Sequence, residues 1–319
     1  MKMKILVIFT GGTIGSVLND GWIAPDKQTK RELIRHYEET HGDSVEFVTS
    51  EPYSILSENL TANELNVLVK TVYESANKDY DGIIVTHGTD TLQYSAAALD
   101  FALGTESLPV ILVSSNYPLD DERSNGHINF EASVAFIGGK KGKGVYVAYA
   151  NEGENVFFHR GGAVLSHREA EDSVFSVDNK VYGEYVNGSV VVNECVAKAK
   201  AAGGVFTLCE KSGILVVNPY PGDMYDYDLD KYGAIILRPY HSGTLNTSSK
   251  SFEQFCAEAK KKNIPCFVVN IKEGDAYESS KEFERLGIIP VYTSSFISTY
   301  VRLWIAISRG EDLKKGFSL

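Results

Sequence analysis

Ile5 to Phe9, Ile83 to Val85, Val110 to Val113 and Val145 to Ala150 are short runs with almost no polar residue inside them. A strand with one wet face alternates polar and apolar side chains. A continuous apolar run must be covered on both faces. The segments between these runs have helical spacing. "TKRELIRHYEET" reads as a helix and "VEFVTS" after it as a strand. Thr61-Ala62-Asn63-Glu64 is a capping box, and behind it Leu65, Leu68, Val69, Val72, Tyr73 and Ala76 recur on one helical face. Further helices are expected at about 91–103 and 125–138, beside strands at 109–115 and 145–151. Strands of this kind alternating with helices predict a parallel sheet with helices on both sides.

The alternation pauses and restarts. "VYGEYVNGSVVVNE" reads as a hairpin turning at Asn187-Gly188. Residues 194–212 are small, basic and glycine-bearing, and read as a linker. Beyond them, strands are expected at 213–218, 233–238, 265–270 and 288–292, with helices at 247–262 and 296–309, the last stopped by Gly310. The expected domains are therefore 1–193 and a smaller 213–319, both α/β. The length of 319 residues suits two cores better than one.

A net charge of −11 argues against nucleic-acid and anionic-membrane binding, which need a basic surface. Cys195, Cys209, Cys256 and Cys266 contain no CxxC and suit a reducing compartment. The apolar run at 5–9 is shorter than a signal-peptide core of about 7–15 residues. No segment approaches the roughly 20 apolar residues of a membrane span. The expected location is cytoplasmic.

Two of the apolar strands end alike. One runs into Thr10-Gly11-Gly12-Thr13, the other into Thr86-His87-Gly88-Thr89-Asp90-Thr91. Ligands of open parallel sheets sit beyond the carboxyl ends of the strands. Glycines there let the backbone approach a ligand closely and leave amide N–H groups directed into the crevice. Gly11-Gly12-Thr13-Ile14-Gly15 is GGxxG, so the dinucleotide fingerprint fails, and no GK[ST] follows. His87 has no second histidine at metal-ligand spacing and reads as a hydrogen-bonding structural residue. GxSxG is absent. What remains is a threonine nucleophile. A hydroxyl attacks a carbonyl when a base takes its proton and preplaced donors meet the developing oxyanion.

"TGGTIG" together with "THGTDTL" resembles the paired signatures of the bacterial-type L-asparaginases, the asparaginase/glutaminase amidohydrolases. The resemblance is strong over residues 1–120 and weaker beyond, where "VVNPYPGDM" and "AIILRPYHSGT" are similar to second-domain segments of that family. It implies a larger flavodoxin-like N-terminal domain with a mostly parallel sheet and a smaller α/β C-terminal domain. It implies Thr13 as the nucleophile, Thr89 as a helper in its activation, and Asp90 as the group that binds the substrate α-amine. Ser57 and Glu58, in "SEN", match the positions that hold the α-carboxylate and α-amine. Gly12 and Gly88, just before the two threonines, complete the substrate-binding set. The resemblance further implies no cofactor, no metal, and a homodimer or homotetramer in which a neighbour's small domain completes each site.

Three departures stand out. Trp22 occupies the loop where the family carries a tyrosine, and an indole has no acceptor with which to relay a proton. No lysine lies between Lys143 and Lys180, where the family has one paired with the second threonine and the aspartate. Ser166 falls near that place, with His167 and Arg168 beside it. Thr244 stands where the family usually has asparagine. The expected function is an amidohydrolase releasing ammonia from L-asparagine or a related small amide through a threonine acyl-enzyme. The alternative is a non-catalytic or weakly active family member that binds an amino acid or regulates a partner.

Overall fold

The computed structural model describes residues 2–19, 22–25, 29–168, 170–193, 203–274, 277–292 and 294–314, without the side chains of 17–31. Two compact units divide it, Met1–Phe206 and Thr207–Leu319. Cys195 and residues 194–202 of the expected linker lie outside the described residues.

The first unit contains, in chain order, β1 (Met3–Phe9), β2 (Ser16–Asn19), β3 (Trp22–Pro25), α1 (Thr29–His41), β4 (Val45–Ser50), α2 (Ala62–Ala76), β5 (Gly82–Thr86), α3 (Leu92–Leu103), β6 (Pro109–Val113), α4 (Gly126–Gly138), β7 (Gly144–Ala150), β8 (Val156–Arg160), β9 (Gly183–Val186) and β10 (Ser189–Val192). Its main sheet has the order β10-β9-β8-β7-β6-β5-β1-β4. The strands from β4 to β7 pair in parallel. β8, β9 and β10 extend the sheet antiparallel. The wholly apolar runs are the central strands: β5 and β7 are buried along their whole length. Aromatic rings fill the layer beneath, with Phe136 of α4 4.7 Å from both Tyr146 and Phe158, centre to centre. The expected hairpin joins β9 and β10. Its Asn187 and Gly188 have φ of 49° and 79°, the two left-handed positions that a tight hairpin turn requires.

The expected parallel sheet is thus mostly parallel, with an antiparallel edge. Neither β8 nor the small β2–β3 hairpin is signalled by the sequence pattern.

The second unit carries β11 (Ile214–Val217), β12 (Ala234–Leu237), α5 (Lys250–Lys261), β13 (Cys266–Ile271), α6 (Glu278–Leu286), β14 (Ile288–Tyr292) and α7 (Phe296–Arg309). Its four strands pair in parallel in the order β11-β12-β13-β14. Gly310 ends α7 at φ 65°. α6 is absent from the sequence-based expectation because only Phe283 and Leu286 of its nine residues are buried, too few to make an apolar stripe. Among the described residues no helix is long and apolar enough to cross a membrane.

Candidate active site

β1 and β5 are neighbours in register, with Phe9 opposite Thr86, so both glycine-threonine turns leave the sheet side by side at its carboxyl edge. The Thr10 hydroxyl ties the first turn to the second strand by donating to the Thr86 carbonyl at 2.7 Å. The segment after β4 runs alongside. The Ile55 N–H donates to the Thr10 carbonyl at 3.1 Å, and the Gly12 N–H donates to the Ile55 carbonyl at 2.9 Å. The Gly12 amide, expected to face the crevice, is therefore consumed by this added edge. A β-carbon on Gly11 would fall 2.2 Å from the Ile55 oxygen.

Gly12 and Gly88 touch. A β-carbon on Gly12, whose φ is +78°, would lie 2.3 Å from both the nitrogen and the α-carbon of Gly88. One on Gly88 would lie 2.4 Å from the Ser57 hydroxyl oxygen. The first two turns thus meet backbone to backbone, the Ser57 side chain packs against Gly88 from the third loop, and Thr13 and Thr89 are the residues that follow the two touching glycines. Both threonines are half-buried. Past Gly12 the chain closes a tight turn, in which Gly15 N–H and the Ser16 hydroxyl both donate to the Gly12 carbonyl, at 3.0 and 2.7 Å.

Ser57, 4% exposed, joins the third loop to the second turn. Its hydroxyl donates to the Asp90 carboxylate at 3.2 Å, and its carbonyl accepts from the Thr91 hydroxyl at 2.9 Å. Gln93 Nε2 holds the Asp90 carbonyl at 3.0 Å. Among the described residues the Asp90 carboxylate has one side-chain donor, and it is otherwise exposed. Glu58 is next to Ser57 and also exposed.

His87 is structural, as the sequence suggested. It is 2% exposed, its Nδ1 donates to the Gly88 carbonyl at 2.8 Å, and its Nε2 accepts from the Ser95 hydroxyl at 2.8 Å. Burial pushes its pKa down, which keeps the ring neutral. The phenol of Tyr53, close to Thr10, is pushed well up for the same reason. Among the described residues no group of three His, Cys, Asp or Glu side chains could hold a metal ion.

Of the three residues near the missing lysine, His167 alone reaches the turn: its Nε2 donates to the Thr89 carbonyl at 2.9 Å. Arg168 turns elsewhere. Its guanidinium carbon sits 4.2 Å from the centre of the Phe175 ring, and its Nη1 is 3.4 Å from Glu171. Ser166 is half-buried. Trp22 begins β3, and its side chain lies outside the described residues. In the second unit, Thr244 closes a turn: its carbonyl accepts from Tyr240 N–H at 3.0 Å, with Gly243 at φ +76° inside.

Neither the role of Ile55 nor the His87–Ser95 pair is legible in the sequence. Both depend on which strand ends become neighbours, and no local spacing encodes that.

A family model described as "Asparaginase, N-terminal" matches residues 4–196. Among named relatives, a glutamyl-tRNA(Gln) amidotransferase subunit of Methanosphaera stadtmanae is 27% identical over 249 residues, 74% of this chain and 56% of that protein. L-asparaginase 1 of Escherichia coli K12 is 34% identical over 130 residues, 40% of this chain and 38% of that one. The chain thus aligns with little more than half, or less, of the length of these relatives. The solved structure of the thermostable L-asparaginase from Thermococcus kodakarensis superposes with a TM-score of 0.79 at 21% identity, covering 98% of this chain and 95% of that one. That likeness shows the shared fold, a large mostly parallel sheet and a small parallel one. The family-model match spans more than half of the 319 residues and takes in both glycine-threonine turns, so the chain belongs to the asparaginase family.

Proposed function

We infer that this protein hydrolyses the side-chain amide of L-asparagine or a related small amide, with Thr13 as the nucleophile. The observation that supports the reading is the contact of Gly12 with Gly88, the residues that directly precede Thr13 and Thr89. The Thr13 hydroxyl attacks the amide carbon and gives up its proton. Ammonia leaves with that proton, and an ester to Thr13 remains. Water then attacks the ester, restoring the hydroxyl and releasing the acid. Thr89 assists the proton's departure. Asp90 and Glu58 hold the substrate ammonium, and Ser57 orients Asp90 through its hydrogen bond and contacts the substrate carboxylate. Gly12 and Gly88 act by their lack of side chains. A homodimer or homotetramer in the cytoplasm, using no cofactor, completes the reading.

Ammonia release from asparagine, glutamine and small amides, measured on wild type and Thr13→Ala together, tests it. Loss of a nucleophile costs several orders of magnitude. Activity retained within about tenfold in Thr13→Ala removes Thr13 from the role. Capping the substrate amine should also weaken binding, because a site carboxylate then stays unpaired. Equal affinity for asparagine and N-acetylasparagine contradicts the assignment of Asp90 and Glu58.

A second reading is favoured by the relatives named as glutamyl-tRNA(Gln) amidotransferase subunits, one of which, from Methanobrevibacter smithii, matches 98% of this chain at 24% identity. The same amide chemistry then serves an amidotransferase, and the isolated chain turns asparagine over slowly. A calorimetric binding signal for asparagine with little ammonia release selects this reading, or that of a family member that only binds.

A further inference from the structure

His167 is held by two carbonyl groups. Its Nε2 faces the Thr89 carbonyl at 2.9 Å and its Nδ1 faces the Ser173 carbonyl at 3.2 Å. A carbonyl only accepts, so each contact needs an N–H on the ring. A neutral imidazole has one such hydrogen and an imidazolium has two. Both bonds therefore exist together only in the cationic ring.

We propose that His167 is a positioning residue for the Thr89–Asp90 turn, bridging the Thr89 and Ser173 carbonyls as an imidazolium and thereby supplying a positive charge to that turn. The proposal rests on the reading of Thr89 and Asp90 as site residues. Among the described residues the turn's other fastenings come from neutral groups: Thr91 and Gln93 hold it by a hydroxyl and an amide, the Ser57 hydroxyl donates to Asp90, and His87 is buried and spent on Gly88 and Ser95. Among the described residues, the charged groups near His167 in sequence are Arg168, Glu171 and Asp172 on its own loop, and Asp90 follows the residue whose carbonyl it meets. Arg168 is engaged by Glu171 and Phe175, so it does not compete for the turn.

In this state the ring does two things. It crosslinks residue 89 to residue 173, which fixes the peptide that carries the Thr89 hydroxyl. It also draws electron density from the Thr89 peptide and offsets the charge of Asp90. Deprotonation removes one of the two bonds and the charge together.

Two measurements test this. The first is nitrogen-15 NMR of the imidazole rings in the wild-type protein, with the His167 signals assigned by their loss in His167→Gln. At the pH of the experiment where the fold is intact, both His167 nitrogens are expected to be protonated. A single protonated nitrogen, throughout the pH range in which the protein is folded, overturns the proposal. The second is the pH profile of amide hydrolysis. Glutamine keeps one donor and cannot be a cation, so His167→Gln should lose the alkaline limb that wild type shows. It should also lower kcat by roughly 10- to 100-fold while leaving KM nearly unchanged. His167→Lys, which restores the charge, should recover part of kcat without the limb. Identical profiles for wild type and His167→Gln overturn the proposal. The NMR arm reads the bridge even if no substrate is turned over or the variant fails to fold, because His167 can then be assigned through its contacts to residues 89 and 173. Repeating it on Thr13→Ala separates the two ideas: a retained bridge with retained activity sinks the nucleophile, not His167.

Discussion

Gly12 and Gly88 are both glycine for space, but not in the same way. At Gly12 a β-carbon would meet backbone atoms of Gly88 at 2.3 Å, and φ is already +78°. Neither obstacle can move aside. Gly12→Ala should destabilise the protein by at least about 2 kcal/mol in urea melts, within the range for overpacked or strained sites. At Gly88 the obstacle is the Ser57 side chain, 2.4 Å from the added atom. Gly88→Ala should therefore displace Ser57 from Asp90. Combining it with Ser57→Gly, which removes the obstructing side chain, should recover part of the loss, a coupling of about 0.5–3 kcal/mol between neighbours. Strict additivity in that double-mutant cycle would show that the two loops do not press on each other. Ser57 is then a packing element as well as a hydrogen-bond donor, and activity and stability should fall together there.

Among the elements, α2 shows how the loop bearing Ser57 and Glu58 is steadied. Thr61 caps the helix that follows. Its hydroxyl accepts from Asn63 N–H at 3.2 Å, its own N–H donates to Glu64 at 3.1 Å, and its hydroxyl also bonds the Glu64 carboxylate. That hydroxyl, first among the causes, draws the Glu64 carboxyl below its ordinary range. Two of the helix's orphan N-terminal donors are answered in this way. Thr61→Ala should cost about 1 kcal/mol of stability and Thr61→Ser only a few tenths. A loss for Thr61→Ser as large as for Thr61→Ala, read from thermal melts, would mean that the methyl packing matters and the cap does not.

For the whole molecule, buried titratable groups couple stability to pH. His87 and His159 are each 2% exposed, and burial lowers both, His159 to about 4. In the unfolded chain they titrate near 6.5, so unfolding takes up protons below that pH. Their contribution is thus fully present above about 6.5 and is lost as pH falls toward 4. For His159 alone the difference is on the order of 3 kcal/mol. Asp100 has the opposite sign. Burial raises its carboxyl to about 6 against the pull of Arg160, so its contribution is present below the ordinary aspartate range and fades as pH rises through 6. The histidine and aspartate trends thus oppose each other between about pH 6.5 and 4.5, and His159→Gln should make stability fall less, or rise more, than in wild type as pH drops through this window. Curves of the same slope for wild type and His159→Gln across this window, measured by urea unfolding, would show that the buried ring does not contribute.

Much of this architecture was legible in the residues. Burial on both faces writes itself as an unbroken apolar run, so β5, β6 and β7 were readable, and the helix α2 announced itself by its cap and stripe. Asn187-Gly188 named its own turn because only residues that tolerate positive φ fit there. Thr13, Thr89 and Asp90 stood out as candidates because glycine-flanked hydroxyls at strand ends are a local pattern. Ser57 and Glu58 were visible through family likeness alone. The tertiary structure decided what those turns face. Ile55 became an edge beside Thr10 and Gly12, Gly12 met Gly88, and His167, not Arg168 or Ser166, took hold of the Thr89 carbonyl. β8 and α6 also waited for the fold, since β8 is a five-residue strand ending in His159 and Arg160 and α6 is a mostly exposed helix. The physical reason is one of range. Periodicity and turn chemistry act within a few residues, whereas the partners of residues 89 and 91 come from positions 167 and 57, which only strand order brings within a hydrogen bond.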